Sequence, residues 1–311
     1  MNFYIQKKKN ILINIVSLIL FLFLVLYVLK NLDIFEVVEN INILDFLLVS
    51  LATIFIVMIN AILNHSLLKR INDQIRFIDS VLLQFTNNLL NKVTPHTGII
   101  FRGYYLKSVY ALDLSNFLAT IADLYVISFG VNSIIGLISS YIIYEQTGIY
   151  NIVILIFLLL IISFSAILIV LSPHLKKRDG FILKNIGKVI DGWNKIKTDP
   201  KKVIVFSFTS ILITSLSVLQ QYFIFESIAA NIDISGLFYL SSLSSLALLI
   251  SITPSGIGIR EAIYAFSSGI VNIDIEKLLL ASLLARVITF FTSLIFGGPS
   301  YLILTKKLRK H

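Results

Sequence analysis

Six stretches of this sequence, residues 11–29, 44–63, 115–143, 149–171, 203–227 and 278–304, are apolar almost without interruption. Each comes close to or exceeds the ~20 residues that an α-helix needs to cross the hydrocarbon core of a bilayer. A run of that length leaves no polar face for water, so it cannot be a surface helix of a soluble domain. Composition agrees: 57% of the 311 residues are hydrophobic and 14% are charged, against about 25% charged in ordinary soluble domains. The chain reads as an all-α polytopic membrane protein.

Several chemistries lack their residues. There is no cysteine, which removes disulfides, thiolate nucleophiles and Cys-ligated metals. The four histidines, His65, His96, His174 and His311, show no metal-binding spacing, and no phosphate-binding Gly-x-x-x-x-Gly-Lys-Ser/Thr loop is present. No metal, cofactor or nucleotide is therefore expected. A cleaved signal peptide competes for the N-terminus, because Lys7, Lys8 and Lys9 precede the first apolar run. That run, Ile11 to Leu29, is long for a signal peptide and no small-x-small cleavage pattern follows it. A retained first helix is expected.

Two further apolar regions are broken. Residues 77–110 contain "NKVTPHTG" and residues 235–270 contain "TPSGIG". Proline and glycine interrupt the helix there, leaving halves too short to span. Charge sorting decides how these pieces thread. If the N-terminus is cytoplasmic and each broken region is a re-entrant hairpin, nineteen Lys and Arg fall on the cytoplasmic side. They are Lys7–Lys9, Lys69, Arg70, Arg76, the nine between residues 174 and 202, and Lys306, Lys307, Arg309 and Lys310. Only Lys30 and Lys277 fall outside, beside Asp33, Glu36, Glu39, Glu145, Asp233, Asp274 and Glu276. This is the positive-inside pattern, and it accounts for the net charge of +9 without nucleic acid. Both termini are then cytoplasmic, in a cell membrane.

On this threading the two hairpins enter from opposite sides, which makes inverted-topology repeats, a common plan among transporters. "TPHTGIIFR" (94–102) faces "TPSGIGIR" (253–260), and "LATIAD" (118–123) faces "LASLLAR" (280–286) with one gap. One membrane domain, 1–311, divides as follows: first helix and external loop 1–43, repeat one 44–143, connecting helix and basic loop 144–202, repeat two 203–304, basic tail 305–311. In the basic loop, Ile182, Ile186, Val189, Trp193 and Ile196 share one helical face. That face suits an interfacial helix on anionic lipid, and equally an ordinary loop helix packed on the bundle.

Ionisable groups at membrane depth are the candidates for function, because each costs roughly 2.5–3.5 kcal/mol to insert. Arg102, Arg260, Glu261 and Arg286 qualify. A helix starting near Ile257 presents free N–H groups and a positive dipole end beside Arg260, an arrangement that binds anions. Adjacent residues on a helix point about 100° apart, so Arg260 and Glu261 seek separate partners. Asp123 and Arg286 occupy matching places with opposite charge, and a gating salt bridge between them is expected. A purely structural role for these charges, tying the bundle together, is the alternative. Pro95 and Pro254 break the helices; Gly98, Gly256 and Gly258 permit tight backbone; Thr94 and Thr253 satisfy freed backbone groups. Asn87, Asn88 and Asn91 recur at helical spacing, for a polar groove or for packing against the partner hairpin. His96 serves either as a titrating group near an anion or as a hydrogen-bonded structural residue.

The cluster Pro254, Gly256, Gly258, Arg260, Glu261 and the later Arg286 resembles the second signature of the lysylphosphatidylglycerol synthase transmembrane-region family, flippase-like integral membrane proteins. Asn91, Pro95, Gly98 and Arg102 match its first signature. The chain departs after the first hairpin: Ala119 and Thr120 precede Asp123 where family members often carry Glu-Arg. The resemblance implies lipid translocation, as in multidomain members that move an aminoacylated phospholipid. Those members add a soluble aminoacyl-transferase domain, whereas this chain ends seven residues after Leu304, so it is not expected to be an enzyme. The expected function is translocation of an anionic phospholipid or lipid-linked headgroup held by Arg102, Arg260, Glu261, Gly256, Gly258 and Gly98. An accessory subunit of a lipid-modifying synthase or glycosyltransferase, and a membrane-embedded lipid transferase, are the rivals. Membrane lipids with anionic headgroups are the expected partners, with self-association or a lipid or glycan enzyme as protein partners.

Overall fold

The structure, a computed structural model, describes residues 42–171, 200–250, 253 and 256–309. The first apolar run, the basic loop with its Trp193 face, and Pro254 lie outside the described residues. Within them the chain is wholly helical. α1 is Ile43–Lys69, α2 Phe77–Val93, α3 Thr97–Tyr110, α4 Leu114–Thr147 and α5 Ile152–Leu171. After the basic loop follow α6 Pro200–Ser227, α7 Ile234–Leu246 with a 3-10 turn Ala247–Ile250, α8 Ile259–Val271 and α9 Ile275–Leu308.

Four helices are long and apolar enough to cross a membrane: Ile43–Lys69, Leu124–Thr147 within α4, Val203–Ser227 within α6, and Ile275–Leu308. α5 is a further apolar helix of 20 residues. The helices break where proline and glycine predict it. At 1.5 Å per residue, α2 with 17 residues is about 26 Å long, and α3, α7 and α8 with 14, 13 and 13 are about 20 Å. All four fall short of the ~30 Å hydrocarbon core.

Element lengths run in parallel through the two halves. α1 and α6 have 27 and 28 residues, α3 and α8 have 14 and 13, and α4 and α9 have 34 each. Packing is reciprocal as well: α2 lies along α9, and α7 lies along α4. Each contact needs a glycine on the long helix. A Cβ at Gly297 would sit 2.8 Å from the Phe85 carbonyl oxygen, and one at Gly136 would sit 2.8 Å from Ser242 Oγ. Gly136 lies 22 residues after Leu114, and Gly297 22 residues after Ile275. Phe85 and Ser242 each lie 8 residues after the start of their own helices, Phe77 and Ile234.

Small polar residues tie the long helices, as is usual where lipid removes any hydrophobic drive between them. Gln220 Nε2 of α6 donates to Thr53 Oγ1 of α1 at 2.7 Å. Thr214 Oγ1 donates to Asn132 Oδ1 of α4 at 2.9 Å. Thr292 Oγ1 of α9 donates to Ser50 Oγ of α1 at 3.0 Å. α2 runs antiparallel to α9: Asp79 pairs with Lys307, Phe85 stacks on Phe296, and Asn88 Nδ2 donates to Ser293 Oγ. The end of α2 therefore reaches the middle of α9.

Candidate functional site

The turn before α8 is built from backbone that only glycine adopts freely. Gly256 and Gly258 have φ of +66° and +87°, in the half of conformational space closed to most side chains. Thr253 closes the turn: its Oγ1 donates to the Ile257 carbonyl at 2.7 Å, and its own carbonyl accepts from Gly256 N–H at 3.1 Å. The helix then starts at Ile259, two residues later than expected.

The positive end of α8 is filled from within the chain. Glu261 Oε2 accepts from the Gly258 N–H at 2.7 Å. Its Oε1 accepts from Ser282 Oγ at 2.6 Å and from Arg286 Nη2 and Nε at 2.6 and 2.9 Å. Arg286 Nη2 also approaches the Gly256 carbonyl at 3.4 Å. Sequence alone pointed to free N–H groups awaiting an anion; a buried carboxylate takes that place. A helix N-terminus favours any nearby negative charge, and Glu261 is the one in reach.

Arg260 turns away from Glu261, as the 100° offset requires. Its Nη2 donates to Tyr264 Oη at 2.9 Å and its guanidinium lies 5.2 Å from the Tyr264 ring centre. Among the described residues its Nε is buried without a hydrogen-bond partner. Lys92, from the end of α2, completes the group. Its Nζ donates to Thr289 Oγ1 at 2.8 Å, three residues from Arg286 on α9. Among the described residues, Lys92, Arg260 and Arg286 share this neighbourhood with the carboxylate of Glu261. Buried cations of this kind demand negative partners.

The first hairpin brings its tip to the same level of α9. His96 takes a left-handed φ of 59° ahead of α3. Asn91 Oδ1 then caps α3 by accepting the Gly98 N–H at 2.8 Å. A Cβ at Gly98 would lie 2.4 Å from the Asn87 carbonyl oxygen, so the two arms of the hairpin close only around a glycine. Asn88 bonds Ser293 and Lys92 bonds Thr289, while Glu261 bonds Ser282 and Arg286. Both tips converge on residues 282–293 of α9.

The remaining candidates fall elsewhere. Arg102 is not in this group: its Nη2 donates to Asn64 Oδ1 at 2.7 Å, its Nη1 to Gln84 Oε1 at 3.3 Å, and it lies over the Phe117 ring. Thr94 caps the end of α2 through its backbone, with its N–H on the Leu90 carbonyl, and Pro95 follows in the turn. Arg286 pairs with Glu261; the Asp123 side chain lies outside the described residues. Counted from the first residue of each 34-residue helix, Arg286 stands level with Tyr125. Lys92 is not among the sequence candidates, although a cation inside an apolar run is the same signal that singles out Arg102. Tyr264 and Ser282 carry no such signal, because a tyrosine or serine in a membrane helix is ordinary.

Comparison with known proteins adds two findings. The family model for the lysylphosphatidylglycerol synthase TM region matches residues 14–297. A UPF0104 membrane protein of Methanocaldococcus jannaschii is 29% identical over 230 residues, which covers 71% of this chain and 96% of the relative.

Proposed function

We propose that this chain, which belongs to the lysylphosphatidylglycerol synthase transmembrane-region family, carries an anionic lipid headgroup between leaflets. The observation that carries the reading is the cluster of Lys92, Arg260 and Arg286 with Glu261 where two helical hairpins meet. An anionic headgroup meets Arg260 and Lys92 there, while its acyl or isoprenoid tails stay in the bilayer. Arg260, with a buried unpartnered Nε, and Lys92 are the groups that would hold it.

In this reading α2–α3 and α7–α8 are re-entrant hairpins of inverted repeats. Their half-length helices, the parallel element lengths and the equivalent glycines Gly136 and Gly297 support that plan. So does the convergence of both tips on the middle of α9. The termini are cytoplasmic and the protein sits in the cell membrane. The Glu261–Arg286 pair acts as an internal substitute for substrate. It closes the site when the site is empty and parts when the headgroup competes for Arg286. A buried pair suits such exchange, since its net stabilisation is small relative to the cost of breaking it without replacement. The driving force is a gradient or the removal of lipid on the receiving side.

An embedded transferase would need a free proton acceptor. Glu261 is instead held by Arg286, Ser282 and the Gly258 N–H, which favours a binding role. The test is reconstitution into vesicles with a fluorescent short-tailed anionic lipid. Wild type moves it between leaflets, and Arg260→Gln slows that by about tenfold or more, the effect of one lost charge-assisted hydrogen bond. Equal rates in the two proteins would overturn the reading. Neutralising the lysines of residues 174–202 leaves transport intact if the chain is the carrier, and abolishes function in cells if it is an accessory subunit.

A further inference from the structure

We infer that Arg102 forms a second anion site, apart from the hairpin tips, for one phosphate group. Arg102 is 6% exposed, yet its contacts are all neutral: two carboxamide oxygens and a phenylalanine ring. Beside it lies a partly open pocket of about 130 Å³ lined by α1, α2, α3, α4 and α6. Asn60, Asn64, Gln84, Asn87, Tyr125, Ser128 and Ser210 supply its polar wall, with no acidic residue among the described lining.

The hydrogen bonds around the cavity fix which way the amides point. Asn64 Nδ2 donates to the Asn60 carbonyl at 2.7 Å and to Gln84 Oε1 at 3.3 Å, so Asn64 Oδ1 faces Arg102. Gln84 Oε1 then accepts from both Asn64 and Arg102, which leaves its NH2 group to the cavity. Asn87 Oδ1 accepts from Asn91 at 3.4 Å, which leaves its NH2 group as well. Asn60 Nδ2 donates to the Ile56 carbonyl at 2.8 Å and the Ser128 and Ser210 hydroxyls bond each other at 3.1 Å, so Arg102, Gln84 and Asn87 are the donors left for the space. A guanidinium backed by amide donors, with no carboxylate, recognises an oxyanion.

Size narrows the ligand. Pockets for drug-sized ligands run about 300–1,000 Å³, so 130 Å³ takes one phosphate group, with anything attached to it leaving through the open side. Two sources share that chemistry: a phospholipid headgroup and free phosphate. On the charge-sorted threading the cavity lies in the cytoplasmic half. Asn64 is five residues from the end of α1 at Lys69, and Ser210 is ten residues from the start of α6 at Pro200. As a station on a lipid path the site rests on the transport reading; as an anion site it does not.

The test uses full-length protein carrying Arg260→Gln, so that the tip cluster is weakened. Calorimetric titration is run with inorganic phosphate and, separately, with dihexanoyl phosphatidic acid. Saturable binding of at least one anion is expected. It should weaken about tenfold or more on adding Arg102→Gln, and likewise on adding Ser210→Phe, which fills the cavity and leaves Arg102 in place. Binding of phosphate alone identifies a free-phosphate site, and binding of phosphatidic acid alone a headgroup site; each upholds the inference. Where Arg102→Gln does not yield folded protein, Ser210→Phe and Arg102→Lys carry the test, with Arg102→Lys retaining part of the affinity. No binding of either anion, or binding indifferent to both the Arg102 and Ser210 changes, overturns it. Binding in this test, with no lipid movement by the wild-type protein in vesicles, would remove the transport reading and leave the anion site standing.

Discussion

Glu261 ties the Gly258 turn to α9, where it bonds Ser282 and Arg286. Removing its charge takes from buried Arg286 the carboxylate it bonds twice, and breaking one side of a buried pair costs about 3–5 kcal/mol. Glu261→Gln should therefore lower stability by that order in a detergent unfolding titration. The double variant Glu261→Gln/Arg286→Met should recover much of the loss, because the buried charge goes with its partner. Additive losses would show that the two residues act independently. At this scale Arg260, Glu261 and Arg286 were legible as charges in apolar surroundings, while Lys92, which carries the same signal, was passed over. Their partners were not legible. Lys92 meets Thr289 across 197 positions of chain, and Arg102 finds Asn64 and Gln84, carboxamides that look unremarkable in sequence. Such pairings arise from packing, and one-dimensional spacing does not encode them.

Between helices, glycine sets how closely the half-length elements can approach. Gly297 admits α2 against α9, and Gly136 admits α7 against α4. Gly297→Leu should force α2 away from α9, break the Lys92–Thr289 and Asn88–Ser293 contacts and abolish lipid movement. Overpacking of this kind costs about 1–3 kcal/mol, so the protein should still fold, as a monodisperse elution profile would show. Unimpaired transport would mean that the hairpin need not seat on α9. The breaks at residues 94–96 and before Gly258 were readable from Thr-Pro and Gly. The reciprocal packing was not, because neither Gly136 nor Gly297 stands out among apolar neighbours until the helices are seen side by side.

For the molecule as a whole, the proposal is two hairpins that enter from opposite faces and meet at a cationic centre. The absence of cysteine makes the threading directly measurable. Single cysteines at Gln74 and Glu145, both exposed in the loop after α1 and near the end of α4, should react with impermeant maleimide from opposite sides of the membrane. Labelling from the same side would overturn the threading and the inverted repeat with it. The central claim concerns what the meeting point holds. An experimental map of the protein in nanodiscs of anionic phospholipid tests it most directly. Headgroup phosphate density is expected about 3 Å, hydrogen-bond distance, from Arg260 and Lys92, lost in the Lys92→Gln/Arg260→Gln variant. Headgroup density confined to the two membrane surfaces, with the site between the hairpin tips empty in both proteins, would contradict it.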